Sequence, residues 1–382
     1  MKVLSIGSDR KLFEEGSSVR QRAIEYAGLF EELHIVVFSS KKLEAKSLQL
    51  TANCWVYSTN SWSRWFYIWG AIRIGKRIIR DSKFSIHDSV TAQDPFECGF
   101  AAYKIARRFK FPLHIQVHTD FLSPYFASLS LLNRIRVHIA RRVLPQAKAI
   151  RVVSQRIKNS LIQDLRFKIK DSKITVLPIW TDLKKFTAGI PSFDLKQKYP
   201  EWSFIIVAVG RYSPEKNFTF AIEVLKQLVK KYPKTGLVMV GEGPLRGELE
   251  RAVWRAGLYE HVAFEPWQTD LTSYYKTANL FIQTSLYEGF GLALLEAVAS
   301  GCLAVSSDVG VAPELLNHKG HSFVCSVNDI ECFVRTISGL VEDNQLRTFF
   351  SLDVAPSVIV PFLVTKENYL TAYKESIKSA LG

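Results

Sequence analysis

A chain of 382 residues is more than one ordinary hydrophobic core fills, and it suits two α/β domains of roughly 200 residues each. Its 47% hydrophobic and 23% charged content excludes a disordered or fibrous polymer, and no apolar run approaches the roughly 18 residues of a membrane-spanning helix. The formal net charge of +14 is unevenly placed: residues 1–190 hold 32 Lys and Arg against 15 Asp and Glu, while residues 191–382 hold 18 against 21. A basic excess confined to one half favours an anionic partner surface, phospholipid or nucleic acid.

The opening MKVLSIGSD is too short for a signal peptide and reads as a buried strand, Lys2–Ile6, entering a polar loop. That loop, Ser8–Arg22, contains Gly16 and Arg20 and is long for a βα connection, a place where function concentrates. A helix over Val19–Leu29 and a strand over His34–Phe38 follow. In Ser61–Arg80, Trp62, Trp65, Phe66, Tyr67 and Trp69 precede Arg73, Lys76, Arg77 and Arg80. This composition suits an interface helix, with aromatics among lipid headgroups and cations on anionic lipid. Core aromatics with solvated cations are the competing reading. Strand Leu113–Val117 runs into His118, Thr119 and Asp120, and open α/β sheets bind ligands beyond the carboxyl ends of their strands. Helix Leu131–Leu144 adds Arg134, Arg136, Arg141 and Arg142, and strand Ala149–Val153 continues the βα alternation.

The stretch Trp180–Ser203, with Gly189, Pro191 and Pro200, has little periodicity and places a domain boundary near residue 190. Strands at Phe204–Val209, Leu237–Val240, Val262–Phe264, Leu280–Ile282 and Cys302–Val305, separated by helices such as Phe218–Lys230, predict a second doubly wound sheet over 191–365. Residues 366–382 are expected to form a helix that packs back on the first domain. The five cysteines, Cys54, Cys98, Cys302, Cys325 and Cys332, are never spaced as C-x-x-C and read as reduced core residues of a cytoplasmic protein. No Asp-x-Asp motif or His/Cys cluster has metal-ligand spacing.

Two motifs carry the chemistry. Glu288-Gly-Phe-Gly-Leu-Ala-Leu-Leu-Glu296 follows a strand and opens an apolar helix. Gly289 and Gly291 allow close backbone approach, and the free N–H groups of Phe290, Gly291 and Leu292 suit a diphosphate. Glu296, two turns into that helix among Ala, Leu and Val, needs hydrogen-bond donors, which ribose hydroxyls would supply. Gly210-Arg-Tyr-Ser-Pro-Glu-Lys-Asn217 follows strand Phe204–Val209 and offers Arg211 and Lys216 as two cations without obvious partners, ready for phosphate oxygens.

Glu288-x7-Glu296, the GRYSPEKN run, VHTD at His118 and DVGVAPELL around Glu314 together resemble glycosyltransferase family 4 over nearly the whole chain. The resemblance implies two Rossmann-like domains facing a cleft (GT-B) and retaining transfer of a sugar from a nucleotide-diphosphate-sugar donor. The acceptor hydroxyl would belong to a lipid-linked or cell-envelope glycan. By the same resemblance Glu288 faces the donor sugar, Glu296 binds ribose, and Arg211 and Lys216, helped by amides near Phe290–Leu292, bind the diphosphate. His118 is placed beside the sugar, with Gly16 and Arg20 in the donor set.

No enzymic nucleophile and no cofactor is implied, the nucleotide-sugar being a substrate, and cationic side chains stand where a metal would. The departures from the family pattern are Gly301-Cys-Leu303 in place of Gly-x-Pro, Gly310-Val311 in place of Gly-Gly, and a loop after the first strand that keeps only Gly16 of the usual paired glycines. The competing reading within this architecture is a nucleotide-sugar epimerase or a phosphorylase. A nucleic-acid-binding module lacks any groove-reading motif. The expected location is the cytoplasm, peripheral on the inner face of the membrane.

Overall fold

The computed structural model describes residues 1–41, 47–318 and 321–382. They divide into two compact units, Met1–Pro178 with Thr365–Gly382, and Ile179–Val364.

The first unit is built on eight strands: β1 Lys2–Gly7, β2 Glu32–Val37, β3 Ser47–Thr51, β4 Cys54–Ser58, β5 Ser89–Ala92, β6 Leu113–Val117, β7 Ala149–Val152 and β8 Ile174–Val176. Their order is β3-β4-β2-β1-β5-β6-β7-β8. All pairs are parallel except β3 with β4. The helices are α1 Ser18–Ala27, α2 Tyr67–Asp81, α3 Glu97–Phe109, α4 Pro124–Ser128, α5 Leu131–Val143 and α6 Gln155–Gln163.

In the second unit β9 Phe204–Val209, β10 Thr235–Val240, β11 Val262–Glu265, β12 Leu280–Gln283, β13 Ala304–Ser307 and β16 Val324–Cys325 form a parallel sheet in the order β11-β10-β9-β12-β13-β16. A short antiparallel pair, β14 Asn317–His318 and β15 His321–Ser322, lies apart from it. Its helices are α7 Lys184–Thr187, α8 Leu195–Lys198, α9 Phe218–Lys231, α10 Arg246–Ala256, α11 Thr272–Thr277, α12 Leu292–Ala299, α13 Ala312–Leu316, α14 Ile330–Glu342, α15 Asn344–Phe349 and α16 Ala355–Val358. α17, Lys366–Lys378, returns to the first unit. Both units thus have the doubly wound, Rossmann-like form, in which strands covered on both faces read as unbroken apolar runs. All six residues of β9 are buried.

Two sequence expectations need correction. The crossing between units falls at Pro178/Ile179 rather than near residue 190. Residues 179–203 look like a linker in sequence, yet they are packed on the second sheet: Leu195 is fully buried, and the Trp202 ring lies so close to Gly236 that a Cβ there would sit 1.9 Å from it. Tyr199 Oη also donates to Glu265 at 2.5 Å, beside Lys198 on the same carboxylate. The cysteines are not all reduced: Cys325 and Cys332 are joined by a disulfide between the end of β16 and the first turn of α14, while Cys54, Cys98 and Cys302 are free and buried. Trp62, Trp65 and Trp69 stand 81%, 78% and 61% exposed, which removes the competing reading of them as core aromatics. No helix among the described residues is long and apolar enough to cross a membrane.

The first unit's core joins Val3, Leu33, Ile35, Val37 and Val56 of the sheet to Ala23 and Ala27 of α1 and to Tyr373 and Ile377 of α17. Beside it the buried Arg151 of β7 donates to Gln116 Oε1 (2.9 Å), Tyr369 Oη (3.0 Å), Leu177 O (3.1 Å) and Pro178 O (2.9 Å). Gln116 in turn donates to Tyr373 Oη at 3.2 Å. One guanidinium therefore fixes both the last residues before the chain leaves the unit and the helix with which it returns. Arg151→Ala leaves these carbonyls, the amide and the phenol unpaired, so it should lower the free energy of unfolding by roughly 3 kcal/mol or more. Urea denaturation followed by circular dichroism checks this, and a loss under about 1 kcal/mol would show that the clamp is dispensable.

Candidate active site

In the second sheet strand order reverses between β9 and β12, and a reversal of this kind opens a crevice beyond the carboxyl ends of the two strands. The loop after β9 carries Arg211 and Lys216, and the loop after β12 carries Glu288, Gly289 and Phe290. The two loops are tied together. Thr284 Oγ1 donates to the carbonyls of Lys216 (3.2 Å) and Asn217 (3.1 Å), and Leu286 N donates to Glu215 O at 2.8 Å. Lys216 Nζ lies 2.6 Å from Glu288 Oε1, which also accepts from Ser285 Oγ at 2.7 Å.

Both cations therefore have partners, contrary to the sequence reading. Lys216 pairs with Glu288, and the largely exposed Arg211 lies 3.5 Å from Glu215. Neither carboxylate was identified as a partner from sequence, because one faces its lysine only through tertiary structure and the other lies one helical turn away within a loop. The exposed Arg211 pair is weak and leaves the side chain free to move. The Lys216–Glu288 pair is mostly shielded from water and is correspondingly better fixed.

Gly291, at φ 103°, sits at the N-cap of α12, a backbone conformation that favours glycine. Gly310 is needed for space as well as for its φ of 54°: a Cβ there would lie 2.1 Å from Phe290 O and 3.0 Å from Glu288 Cβ. Val311 follows with an ordinary φ of −90° and donates its N–H to Phe290 O at 2.8 Å, so the second glycine of the family pattern is not required here.

Glu296, in the second turn of α12, is held by burial with its carboxyl raised to about 7, against opposing influences from the Tyr275 hydroxyl at 3.4 Å and the charge of Lys185. Tyr275 itself is fully buried. Among the described residues no group of three or more His, Cys, Asp or Glu is disposed to hold a metal ion.

His118, Gly16 and Arg20 belong to the first unit, not to this cluster. His118 follows β6, and burial, reinforced by the charges of Arg151 and Arg22, lowers its pKa to about 3. It is a neutral ring that can donate one hydrogen bond and accept another, not an acid. Gly16, at φ 75°, ends the loop after β1, and Ser17 caps α1 by accepting from the amide of Arg20 at 3.2 Å. Arg22, whose charge reaches His118, lies one turn beyond that cap. Sequence reasoning missed the turn Gly241-Glu-Gly-Pro244 after β10. It interlocks with the loop after β9, since a Cβ at Gly241 would lie 2.0 Å from Gly210 O. A strand followed by two near-adjacent glycines and a proline was the available signal.

Comparison with known proteins gives matches at both ends of the chain. Residues 22–185 match the model of Glycosyltransferase Family 4, and residues 192–351 that of Glycosyl transferases group 1. The UDP-Gal:alpha-D-GlcNAc-diphosphoundecaprenol alpha-1,3-galactosyltransferase of Escherichia coli is 30% identical over 181 residues, 46% of this chain and 47% of that one. The alpha-D-kanosaminyltransferase of Streptomyces kanamyceticus is 21% identical over 304 residues, 78% of each chain. The chain spans about half the length of the first such relatives. Among solved structures, Anabaena HepE in complex with UDP and glucose superposes with a TM-score of 0.71 at 19% identity over 98% of both chains. Sucrose-phosphate synthase from Thermosynechococcus elongatus gives 0.78 at 17%, again over 98% of both. These likenesses carry the fold. With family models on both Rossmann-like units and the paired Lys216 and Glu288 at the strand reversal, the chain belongs to glycosyltransferase family 4 and has the GT-B type of fold.

Proposed function

We propose that this protein is a retaining, metal-independent hexosyltransferase that moves a sugar from a nucleoside-diphosphate sugar to a hydroxyl of a lipid-linked or cell-envelope glycan. The observation that carries the reading is the Lys216–Glu288 pair at the β9/β12 reversal, with the half-buried Glu296 in the second turn of the helix that begins there. A diphosphate seated against the start of α12 would meet the free amides of that helix together with Lys216 and Arg211. Glu288 would then orient Lys216 and face the sugar, and Glu296 would accept the ribose hydroxyls.

In the reaction the bond from C1 to the diphosphate oxygen breaks, and a bond from C1 to the acceptor oxygen forms on the same face. The acceptor proton passes to a leaving phosphate oxygen, and the two cations stabilise the charge that develops there. His118, neutral at working pH, suits a hydrogen bond to a hydroxyl better than proton transfer. The UDP in the HepE structure and the diphosphoundecaprenol-linked acceptor named for the Escherichia coli relative support a uridine nucleotide and a lipid-linked acceptor.

A cytoplasmic-face, peripheral attachment to anionic membrane is part of the same reading. The first unit holds 33 Lys and Arg against 16 Asp and Glu, and the second 17 against 20. α3 packs against both α2 and α5, and this helical layer presents exposed Arg73, Arg77 and Arg80, then Lys104, Arg107 and Arg108, then Arg134 and Arg142. Trp62, Trp65 and Trp69 are exposed at the amino end of α2, and Leu131, Leu132 and Ile135 at that of α5. Arg136, bonded to Glu97 at 3.0 Å, and Arg141, near Asp164, drop out of the group expected from sequence. Cations beside an anionic surface contribute about 1 kcal/mol each, enough together for reversible, salt-sensitive attachment.

Glu288→Ala should lose about 100-fold or more in kcat with UDP affinity largely kept, since its carboxylate acts on the reacting sugar and on Lys216. UDP affinity should fall as pH drops below 7, by up to about tenfold per unit, because the raised Glu296 carboxyl must lose its proton to accept ribose hydroxyls. Glu296→Gln should flatten that dependence, and titration calorimetry between pH 5.5 and 8.5 on both proteins separates it from the titration of UDP itself. A pH profile identical in the variant would remove Glu296 from the site.

Excess EDTA should leave the rate unchanged, and a divalent requirement abolished by chelation would overturn the metal-free mechanism. Turnover should need an added acceptor alcohol; turnover with donor alone, or only with inorganic phosphate, would replace a transferase by an epimerase or a phosphorylase.

The protein should co-sediment with phosphatidylglycerol vesicles, not with phosphatidylcholine vesicles, and be released by high salt. Binding should be lost when Arg77, Arg80, Arg108 and Arg142 become Glu. Equal partition to both vesicles, or to neither, would remove the membrane from the reading.

A further inference from the structure

Lys216 and Glu288 are both referenced to one segment at the edge of the second sheet, residues 325–328. On the lysine side, Asn217, next in the chain and left-handed at φ 52°, donates its side-chain Nδ2 to Asn328 Oδ1 at 2.8 Å. Asn328 is itself left-handed, at φ 65°, and lies inside the loop closed by the Cys325–Cys332 disulfide. The far end of that loop is fixed by Asp329, which caps α14 by accepting from the amide of Cys332 at 3.0 Å.

On the glutamate side, Asp308 N donates to Cys325 O at 2.8 Å, beyond the pairing of Ser307 with Cys325. The turn that begins there brings Gly310 against the Phe290 carbonyl and Glu288 Cβ, and Val311 N bonds Phe290 O. The contacts close a ring: Asn328, Asn217, Lys216, Glu288, Phe290, Gly310, Asp308, Cys325, and through the cross-linked loop back to Asn328.

A seven-residue separation between the bridged cysteines leaves the intervening loop few conformations. An exposed hydrogen bond between two asparagines holds little on its own, but one whose acceptor is fixed by a covalent loop spends less entropy in forming. The donor, Asn217, also opens α9 and supplies one of the two carbonyls that Thr284 ties to the β12 loop. A shift of Asn217 therefore moves Lys216 relative to Glu288.

We propose that Asn328, held by the Cys325–Cys332 bridge, is a positioning residue for Lys216, and that opening the bridge with a dithiol loosens the diphosphate subsite from the sheet edge. This rests on the reading of Lys216 as a diphosphate ligand. In the opening step the dithiol gives two electrons and two protons to the cysteine sulfurs and closes to its own disulfide.

The test compares donor kinetics and UDP binding for wild type with and without dithiothreitol, Asn328→Gly, Asn328→Asp, the Cys325→Ser/Cys332→Ser double variant, and Lys216→Ala as reference. Glycine keeps the left-handed backbone and removes only the carboxamide, while aspartate keeps an acceptor oxygen for Asn217. Asn328→Gly should raise the donor KM and the UDP Kd about three- to tenfold, the scale of one lost hydrogen bond, with a smaller change in kcat. Asn328→Asp should stay within about twofold of wild type by restoring that bond. Reduced wild type should move towards Asn328→Gly, and the double serine variant should lie there already and ignore dithiothreitol. If Lys216→Ala weakens UDP binding but Asn328→Gly does not, or if Asn328→Asp fails like Asn328→Gly, the positioning role is overturned. Wild type unmoved by reductant, with both thiols shown free, overturns the part given to the bridge. If Lys216→Ala is itself without effect, the reading of the diphosphate subsite falls first.

Discussion

The candidate site depends on one constraint of parallel sheets: crossovers are right-handed. From β9 the chain passes to β10 on one side, and from β12 it passes to β13 on the other, so α9 and α12 must cover opposite faces. The two loops leaving these adjacent strands diverge and then need tying together. Thr284, Leu286 and the Lys216–Glu288 pair do this, and one of these bridging groups, Lys216, is also a cation of the kind that suits a diphosphate. The first unit repeats the arrangement at β1 and β5, where the long connection holding Gly16 leaves the sheet beside Gln93 and runs into α1, which carries Arg20. Such reversals suit ligand binding in general because backbone amides and side chains can converge there without disturbing strand pairing.

Much of this was legible in the sequence. The strand Phe204–Val209 is an unbroken apolar run because helices cover both faces, and Gly291 marks the start of α12 because little else adopts its backbone. Other parts were not. β5, Ser89–Ala92, is buried but half hydroxyl, and β3, Ser47–Thr51, is a partly exposed edge strand, so neither gives an apolar run. The boundary was placed late because Gly189, Pro191 and Pro200 imitate a linker, whereas Trp202 on Gly236 and Tyr199 on Glu265 are tertiary contacts that no local pattern reveals. The pairing of Lys216 with Glu288 likewise follows from strand order rather than from spacing.

The electrostatics differ in kind between the units. In the second, charge is local and matched: a half-buried lysine on a carboxylate, and a glutamate whose burial is only partly offset by a tyrosine and a distant lysine. In the first, beside pairs such as Arg136 with Glu97, an excess of exposed cations is spread over the outward surfaces of α2, α3 and α5. Matched charge in a partly dry place gives geometry, and unmatched charge at a wet surface gives long-range attraction that salt screens.

Arg151 joins these two kinds of charge. Its hydrogen-bond partners are carbonyls, an amide and a phenol, with no carboxylate among them, so none of them cancels its positive charge. That charge acts on His118, two residues beyond Gln116 on the neighbouring strand, and helps to keep its ring unprotonated. The residue that anchors the terminal helix is thus also a fixed counterweight in the proton balance of His118. A lineage that replaced it would have to rebuild a helix anchor and retune a histidine in the same step, which couples two traits that could otherwise drift apart.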